Sequence, residues 1–514
     1  MGRLLERRAT THRDETFLKL RQGELTFGEV EETARRLACG LAARGVTQAS
    51  HVAVMLPNSA DFLHAIFALA RLGAVAVPIN TEYKGDLLRH VITTSDADLV
   101  IVDEPYVERL AVVEADLRDL RAVVVRGGGD LPPLRTATLA WNDLLGDADE
   151  APRPPVRFSD LQAIMYTSGT TGPSKGVLVP HALALTCALD SMRYMAYGPD
   201  ETVYCPLPLY HAGGLWDGMI LALLAGTPIA VVERFSASRF WDDIRSFGAT
   251  HAMGVFDMIP ILLNRPPTDQ DRDHPLRRFY MGKSALDESL FERFGVRAVE
   301  TYTSTEAGIG TGSPFGEWRT GSCGRPNAER YEVAIVDEQD RKLPPGEPGE
   351  IVLRPKQPYV LTTGYYNFPE VTAETFRNCW FHTGDRCYRD EDGYYYFVDR
   401  IKDSLRRGGE NISAFEVEQA VNAHHAVLES AAFGVPSELE EEELKVAVVL
   451  QPGAELDPEE LVAHCHDRLP GFMVPRYVET VGELPRTGTG KIAKHVLRGE
   501  GDGGITERTW DGGR

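Results

Sequence analysis

Between residues 27 and 79 the chain alternates two kinds of apolar pattern, and this alternation limits its possible architectures more than any other feature. "FGEVEETARRLACGLAARG" repeats apolar residues at helical spacing and stops on Gly45; "HVAVML" follows as a short unbroken apolar run. "SADFLHAIFALARLG" returns to helical spacing with Ser59 placed as an N-cap, and "AVAVPIN" is again an apolar run. Helices and buried strands joined by short turns predict a layered α/β domain with a largely parallel sheet. "ADLVIVD", "RAVVV", "TPIAVVE" and "ATHAMGV" continue the pattern.

Near residues 320–400 the texture changes. "YEVAIVDEQDRKLPPGEPGEIVLR" and "GYYYFVDR" place β-branched and aromatic residues in the runs and Pro and Gly in the turns, which predicts a small β-rich subdomain. After Arg400 a helix pattern ("SAFEVEQAVNAH"), two strand patterns ("LESAAFGVP", "LKVAVVLQP") and a second helix ("DPEELVAHCHDRL") make an α+β module of ordinary domain size. The expected organisation is a large N-terminal domain over 1–401 and a small C-terminal domain over 402–514.

A net charge of −22 works against nucleic acid and anionic membranes as partners. No apolar run is long enough to span a bilayer, and "MGRLLERRATTHRDE" lacks a hydrophobic signal core. The seven cysteines are scattered and form no CxxC pair, which disfavours a zinc site or disulfide framework and fits a reducing cytoplasm. "HCH" at 464–466 is read as one helix whose i and i+2 residues face apart. The acidic run 437–444 is read as a solvated loop or helix start.

"YTSGTTGPSKG" (166–176) stands between two apolar runs, so it is expected to be a tight loop between buried elements. Its glycines let backbone N–H groups approach an anion, and its hydroxyls add donors, so a polyphosphate is the natural guest. It is not a Walker A loop: Lys175 follows Ser174 rather than Gly, and Gly176 stands where a magnesium-binding hydroxyl would be required.

Four further polar islands follow in order: "TYTSTEAG" (301–308), "WFHTGD" (380–385), "DRIKDSLRRGGEN" (399–411) and "PRTGTGK" (485–491). Together with the loop they resemble the adenylate-forming superfamily of acyl-CoA synthetases, luciferases and adenylation domains, most closely the CoA ligases, over roughly residues 10 to 498. The resemblance implies a carboxylate attacking the α-phosphate of MgATP to give an acyl-adenylate and pyrophosphate. A nucleophile, most often coenzyme A, then displaces AMP.

By the same resemblance Thr167, Ser168, Gly169, Thr170, Thr171, Gly172 and Lys175 embrace the β- and γ-phosphates. Tyr302 stacks on adenine, Thr305 bonds the α-phosphate, and Glu306 is the magnesium ligand. Asp385 accepts the ribose hydroxyls and Arg400 adds a ribose or phosphate contact. Lys491 bridges the α-phosphate and the attacking carboxylate. The C-terminal domain is implied to swing about a hinge at Lys402, and Gly408 and Gly409 to line the channel for the acceptor.

Two departures bear on the acid. Met281-Gly282-Lys283-Ser284-Ala285 stands where the family commonly has Gly-Gly-Ala/Ser, and Thr303 stands where it commonly has Gly. With Trp216 and the gate-like His211 these narrow the expected acid pocket, and Lys283 adds an ammonium. The acid is therefore expected to be small or anionic. A nitrite-activating diazotase that transfers to an aromatic amine, and an inactive nucleotide-binding homologue, are the alternatives.

Overall fold

The computed structural model describes residues 1–146, 152–167, 173–254, 258–281, 284–317, 319–400, 404–407, 410–437, 442–486, 492 and 494–513. The chain divides into two compact units. The larger comprises Met1–Thr81, Val91–Tyr166 and Gly176–Asp399; the smaller comprises Glu82–His90, Thr167–Lys175 and Arg400–Arg514.

The alternation over 27–79 folds as its pattern dictates. The first helix is Phe27–Ala43, opened by a capping box in which Thr26 accepts from the Glu29 N–H while Glu29 accepts from the Thr26 N–H. The strand His51–Met55 follows, then the helix Ala60–Leu72, where the Ser59 hydroxyl accepts from the Phe62 N–H at 3.2 Å. Gly73 closes that helix at φ 67°, a left-handed conformation that glycine enters without a Cβ penalty.

Two seven-stranded sheets carry the larger unit. One runs in the order Ala137–Ala140, Ala122–Arg126, Leu99–Asp103, His51–Met55, Val75–Pro78, Leu161–Thr167, Lys175–Pro180, and is parallel from the first of these through Leu161–Thr167. The other is parallel from Arg297–Val299 through Arg278–Tyr280, His251–Met253, Val203–Cys205 and Ile229–Val231 to Thr16–Leu20, and ends on the antiparallel strand Gly23–Thr26. Strands such as Ala122–Arg126 and His251–Met253 are buried on both faces, which is why they read as unbroken apolar runs. Each Val, Leu or Ile side chain so buried contributes about 1.5–3 kcal/mol.

The β-rich texture near 320–400 is a four-stranded sheet of Tyr331–Val336, Gly349–Pro355, Phe381–Arg389 and Tyr395–Arg400, the first three antiparallel. A short sheet of Thr301–Ser304, Gly308–Gly312 and Arg325–Pro326 precedes it.

The smaller unit is built on the sheet Val427–Pro436, Glu442–Leu450, Tyr477–Thr480, Trp510–Asp511 and the helices Ala414–Asn422 and Pro458–Arg468. The acidic run departs from its loop-or-helix reading: Glu442 opens a strand, and Glu443 is buried. The Arg407 guanidinium, 2.9 Å from the Glu443 carboxylate, offsets the desolvation that would otherwise keep it in solvent.

Candidate active site

The structure joins two of the polar islands in the larger unit. Tyr302 lies in the strand Thr301–Ser304 and packs in a core with Ile335, Ile351 and Cys387. Its phenol donates to Asp385 Oδ2 at 2.6 Å, across 83 positions of sequence. Burial first, and the Asp385 carboxylate second, hold the Tyr302 phenol protonated far above its ordinary range. The Asp385 backbone is itself fixed by the Thr383 hydroxyl, which accepts the Asp385 N–H at 3.1 Å. An aromatic ring and a half-buried carboxylate are thereby fixed as one unit.

Glu306 is fixed by a segment that sequence reading did not single out. The Thr362 N–H donates to the Glu306 carbonyl at 2.7 Å, and the Tyr365 phenol donates to Glu306 Oε1 at 3.0 Å. The same segment grips the strand leaving the Gly-rich loop. The Leu178 N–H donates to the Gly364 carbonyl, the Tyr366 N–H to the Gly176 carbonyl, and the Thr362 hydroxyl to the Leu178 carbonyl. "LTTGYYN" (361–367), with Gly364 at φ 127° and hydroxyls on both sides, carried the available signal. Thr303, Thr305 and Glu306 are all half-buried.

The Gly-rich loop is described at its flanks. Thr167 ends the strand Leu161–Thr167 and Lys175 opens Lys175–Pro180; both are half-buried. Within the smaller unit the Ser174 N–H and hydroxyl both donate to Glu416 Oε1, at 2.9 and 2.5 Å, and the Ser174 carbonyl meets His90 Nε2 at 2.8 Å. Ser168, Gly169, Thr170, Thr171, Gly172, Lys283, Lys402, Gly408, Gly409 and Lys491 lie outside the described residues. Arg400 closes the strand Tyr395–Arg400.

Comparison with known proteins decides the family. The profile of the AMP-binding enzyme family matches residues 5–366, and that of the AMP-binding enzyme C-terminal domain matches 416–491. The chain belongs to the AMP-binding enzymes. A crotonobetaine/carnitine–CoA ligase of Citrobacter koseri is 32% identical over 488 residues, covering 92% of this chain and 93% of that one. Among solved structures, an anthranilate CoA ligase in complex with anthranoyl-AMP is 27% identical with a TM-score of 0.73, covering 97% of this chain and 96% of that one. An amide bond synthetase of Marinactinospora thermotolerans is 26% identical with a TM-score of 0.82, covering 96% and 99%. This AMP-binding enzyme is an AMP-forming ligase of the acid–CoA ligase type, acting on small molecules, with the mixed α/β fold expected of it. No helix among the described residues is long and apolar enough to cross a membrane.

Of the residues expected to shape the acid pocket, His211 is half-buried and its ring leans on Tyr210. Trp216 is wholly buried in the main core, and its indole N–H has no partner among the described residues. Ser284 is buried: its N–H donates to Glu300 Oε2 at 2.6 Å and its hydroxyl accepts from the Gly321 N–H. Met281 opens the departed loop at φ 62°, a left-handed conformation that costs a non-glycine residue about 1–2 kcal/mol.

The π-helical stretch Gly213–Ile220 also carries Asp217, which the apolar context "GGLWDGMI" concealed. Asp217 Oδ1 accepts from the Ser191 hydroxyl at 2.5 Å and from the Cys187 thiol at 3.3 Å. The chain continues from Ser191 to the Tyr280 phenol (3.2 Å) and on to the Thr301 hydroxyl (3.3 Å). It thus ties the residue before Met281 to the residue before Tyr302. Burial raises the Asp217 carboxyl from 3.8 to about 6, against the opposing bonds from Ser191 and Cys187. The folded state therefore keeps this proton longer than the unfolded chain, and stability falls as pH rises through that window.

Asp217→Asn is expected to remove that fall. Because one pKa unit corresponds to about 1.4 kcal/mol, the variant should gain roughly 3 kcal/mol on the wild type between the two ends of the window. Urea midpoints at both ends check this; parallel curves for the two proteins would disprove it. Cys187, Cys205 and Tyr280 are the other titratable groups facing Asp217, and burial holds all three protonated above this range.

In the smaller unit His424, His425 and Glu460 bring ligand-type atoms within 4.8 Å of one another. His424 Nδ1 accepts the Ala426 N–H at 3.3 Å, which leaves the ring proton on Nε2, facing Glu460 Oε1 at 3.6 Å. That tautomer makes a histidine–carboxylate pair rather than a metal ligand. In "HCH", Cys465 is buried, His466 is exposed, and His464 Nε2 meets the Ala420 carbonyl at 3.0 Å.

Proposed function

We propose that this ligase activates a small carboxylic acid and passes it to coenzyme A. A carboxylate oxygen attacks the α-phosphorus of ATP, the bond to pyrophosphate breaks, and an acyl-adenylate forms. The thiolate of coenzyme A then attacks the acyl carbon, AMP leaves, and the thiol proton passes to solvent. The observation that carries this reading is the Tyr302–Asp385 bond of 2.6 Å, which sets a ring for a base beside a carboxylate for ribose hydroxyls.

The remaining roles follow from charge. Attack of one anion on another requires cations and donors already in place. Thr167, Lys175 and the loop between them neutralise the outer phosphates, Thr305 and Arg400 add contacts to the nucleotide, and Lys491 places its ammonium on the reacting oxygens. His211, Trp216, Lys283, Ser284 and Thr303 shape the acid pocket, Gly408 and Gly409 the acceptor channel, and Lys402 is the hinge. Glu306 fits magnesium: it offers a hard oxygen anion, and the Tyr365 phenol holds its orientation. Bound there, the ion would withdraw charge from the phosphates. Seven free thiols fit a reducing cytoplasm.

Tyr365→Phe is expected to raise the magnesium concentration for half-maximal activity by about 10–100-fold, the usual cost of removing a group that orients a metal ligand. A magnesium titration of initial rates checks it, and an unchanged half-point would remove Tyr365 from this role.

The curated relatives are named for crotonobetaine and carnitine, so those acids lead the substrate panel. Acid-dependent ATP–pyrophosphate exchange should be measured with them, with other short-chain and aryl acids, and with nitrite. Coenzyme A or an aromatic amine is then added to the positives. Exchange with a carboxylic acid and thioester formation are expected. Exchange with nitrite alone would replace this reading by diazotisation, and no exchange with any acid would leave the inactive-homologue alternative.

A further inference from the structure

A cavity of about 710 Å3 lies in the larger unit, lined by the helix Gly2–Thr11, the segment 153–158 and the start of the helix His181–Tyr194. None of the residues proposed for adenylation lines it. Its charge opposes that of the whole chain. Against a net −22, five arginines (Arg3, Arg7, Arg71, Arg153 and Arg157) border this one space, and Glu6 is the carboxylate among the lining residues. Glu6 is shared between Arg71 and Arg153, the latter at 3.2 Å, and Glu31 takes Arg71 as well at 3.3 Å. The guanidinium groups of Arg3, Arg7 and Arg157 have no carboxylate partner among the described residues. Like charges gathered in one space repel one another, and an anion in the cavity would relieve that.

Two buried residues that line the same cavity also carry nitrogens without a hydrogen-bond partner among the described residues. His181 is 3% exposed, and neither ring nitrogen makes a hydrogen bond. Burial pushes its pKa down to about 3, so the ring is neutral and has one N–H to donate. Arg71 is 8% exposed, and its Nε is likewise unpartnered. Buried donors left open in this way are rare, because each forfeits its hydration without return. Asp160, whose carboxylate acts electrostatically on the His181 ring, makes its bond elsewhere: its Oδ2 accepts from the Arg157 N–H at 2.8 Å.

We propose that this cavity is a binding site for a compact polyanion of the phosphate class, held by the guanidinium forks of Arg3, Arg7 and Arg157 and the ring N–H of His181. Planar guanidinium groups match phosphate oxygens two at a time. The volume suits a ligand up to nucleotide size, and Phe158 on the rim, 58% exposed, offers a flat apolar surface to the rest of such a molecule.

The test is arginine footprinting on the full chain, held in saturating AMP so that the nucleotide site is filled. Phenylglyoxal modification is followed peptide by peptide with mass spectrometry, using inorganic pyrophosphate as the probe and Arg265, exposed and outside the cavity, as internal control. Pyrophosphate is expected to slow modification of Arg3, Arg7 and Arg157 by about tenfold at tenfold excess over its Kd, and to leave Arg265 unchanged. The double variant Arg3→Glu, Arg157→Glu should lose the protection at Arg7 while keeping the wild-type melting temperature. If that variant does not fold, Arg7→Gln carries the test through Arg3 and Arg157. Absence of protection overturns the proposal, as does equal protection by citrate or by sodium chloride at matched ionic strength.

Discussion

Lys491→Ala is expected to lower acid-dependent ATP–pyrophosphate exchange by about a hundred- to a thousandfold, the usual loss when one donor to developing charge is removed. The reason is electrostatic. The adenylation transition state gathers a carboxylate and a triphosphate, and the proposed role of Lys491 is a single positive charge on the oxygens that exchange partners. The variant should still convert a preformed acyl-adenylate to thioester within a few-fold of the wild-type rate, because that step needs no cation on the α-phosphate. Measuring the two half-reactions separately checks the split. A fall of less than tenfold in exchange would take the lysine out of the chemistry, and equal losses in both steps would point to damaged folding.

The largest stability effect is expected at Lys445. This lysine is 2% exposed inside the smaller unit, and its ammonium donates to Glu479 Oε2 at 2.5 Å, the Gly504 carbonyl at 2.6 Å and the Thr509 hydroxyl at 2.8 Å. Lys445→Ala leaves the buried Glu479 carboxylate with only the exposed Arg508 guanidinium, 3.0 Å from Oε1, as counter-charge, and the loss of its buried partner costs about 3–5 kcal/mol. Replacing both partners, as Lys445→Met with Glu479→Leu, should recover most of the loss. Urea denaturation of the full chain measures both. A single variant as stable as wild type would show the charge to be solvated.

The same pair sets a pH dependence. Burial alone would raise the Glu479 carboxyl, but the Lys445 ammonium and the bonds from Thr506 and Thr509 override it, so its pKa lies below the ordinary 4.5. Stability from this group is complete above the unfolded value and is lost as pH falls through the folded one.

Much of the fold was legible because its signals are local. Ser59 before an apolar helix, Gly73 after it, and the apolar runs at 52–54 and 123–125 each state a backbone preference within a few residues. The family was legible for a similar reason: five polar islands keep their order and their chemistry. The acidic run at 437–444 misled because nothing near it in sequence announces Arg407 as the partner of Glu443. Asp217 hid inside an apolar helix pattern, since its partners come from a different helix, and Tyr365 read as one more aromatic in a β-rich stretch.

The sequence by itself determined that this chain is an adenylate-forming enzyme with a Gly- and hydroxyl-rich stretch at 166–176 and a C-terminal lysine in a Gly/Thr-rich stretch. Stretches of that kind depend on backbone freedom and side-chain type at adjacent positions. Only the tertiary structure decided that Tyr302 would rest on Asp385, that Tyr365 would hold Glu306, and that arginines from three separate segments would border one cavity in an acidic protein. Those pairings depend on which strands and helices stack together. That choice is made by apolar burial summed over the whole core, a quantity no short stretch of residues contains.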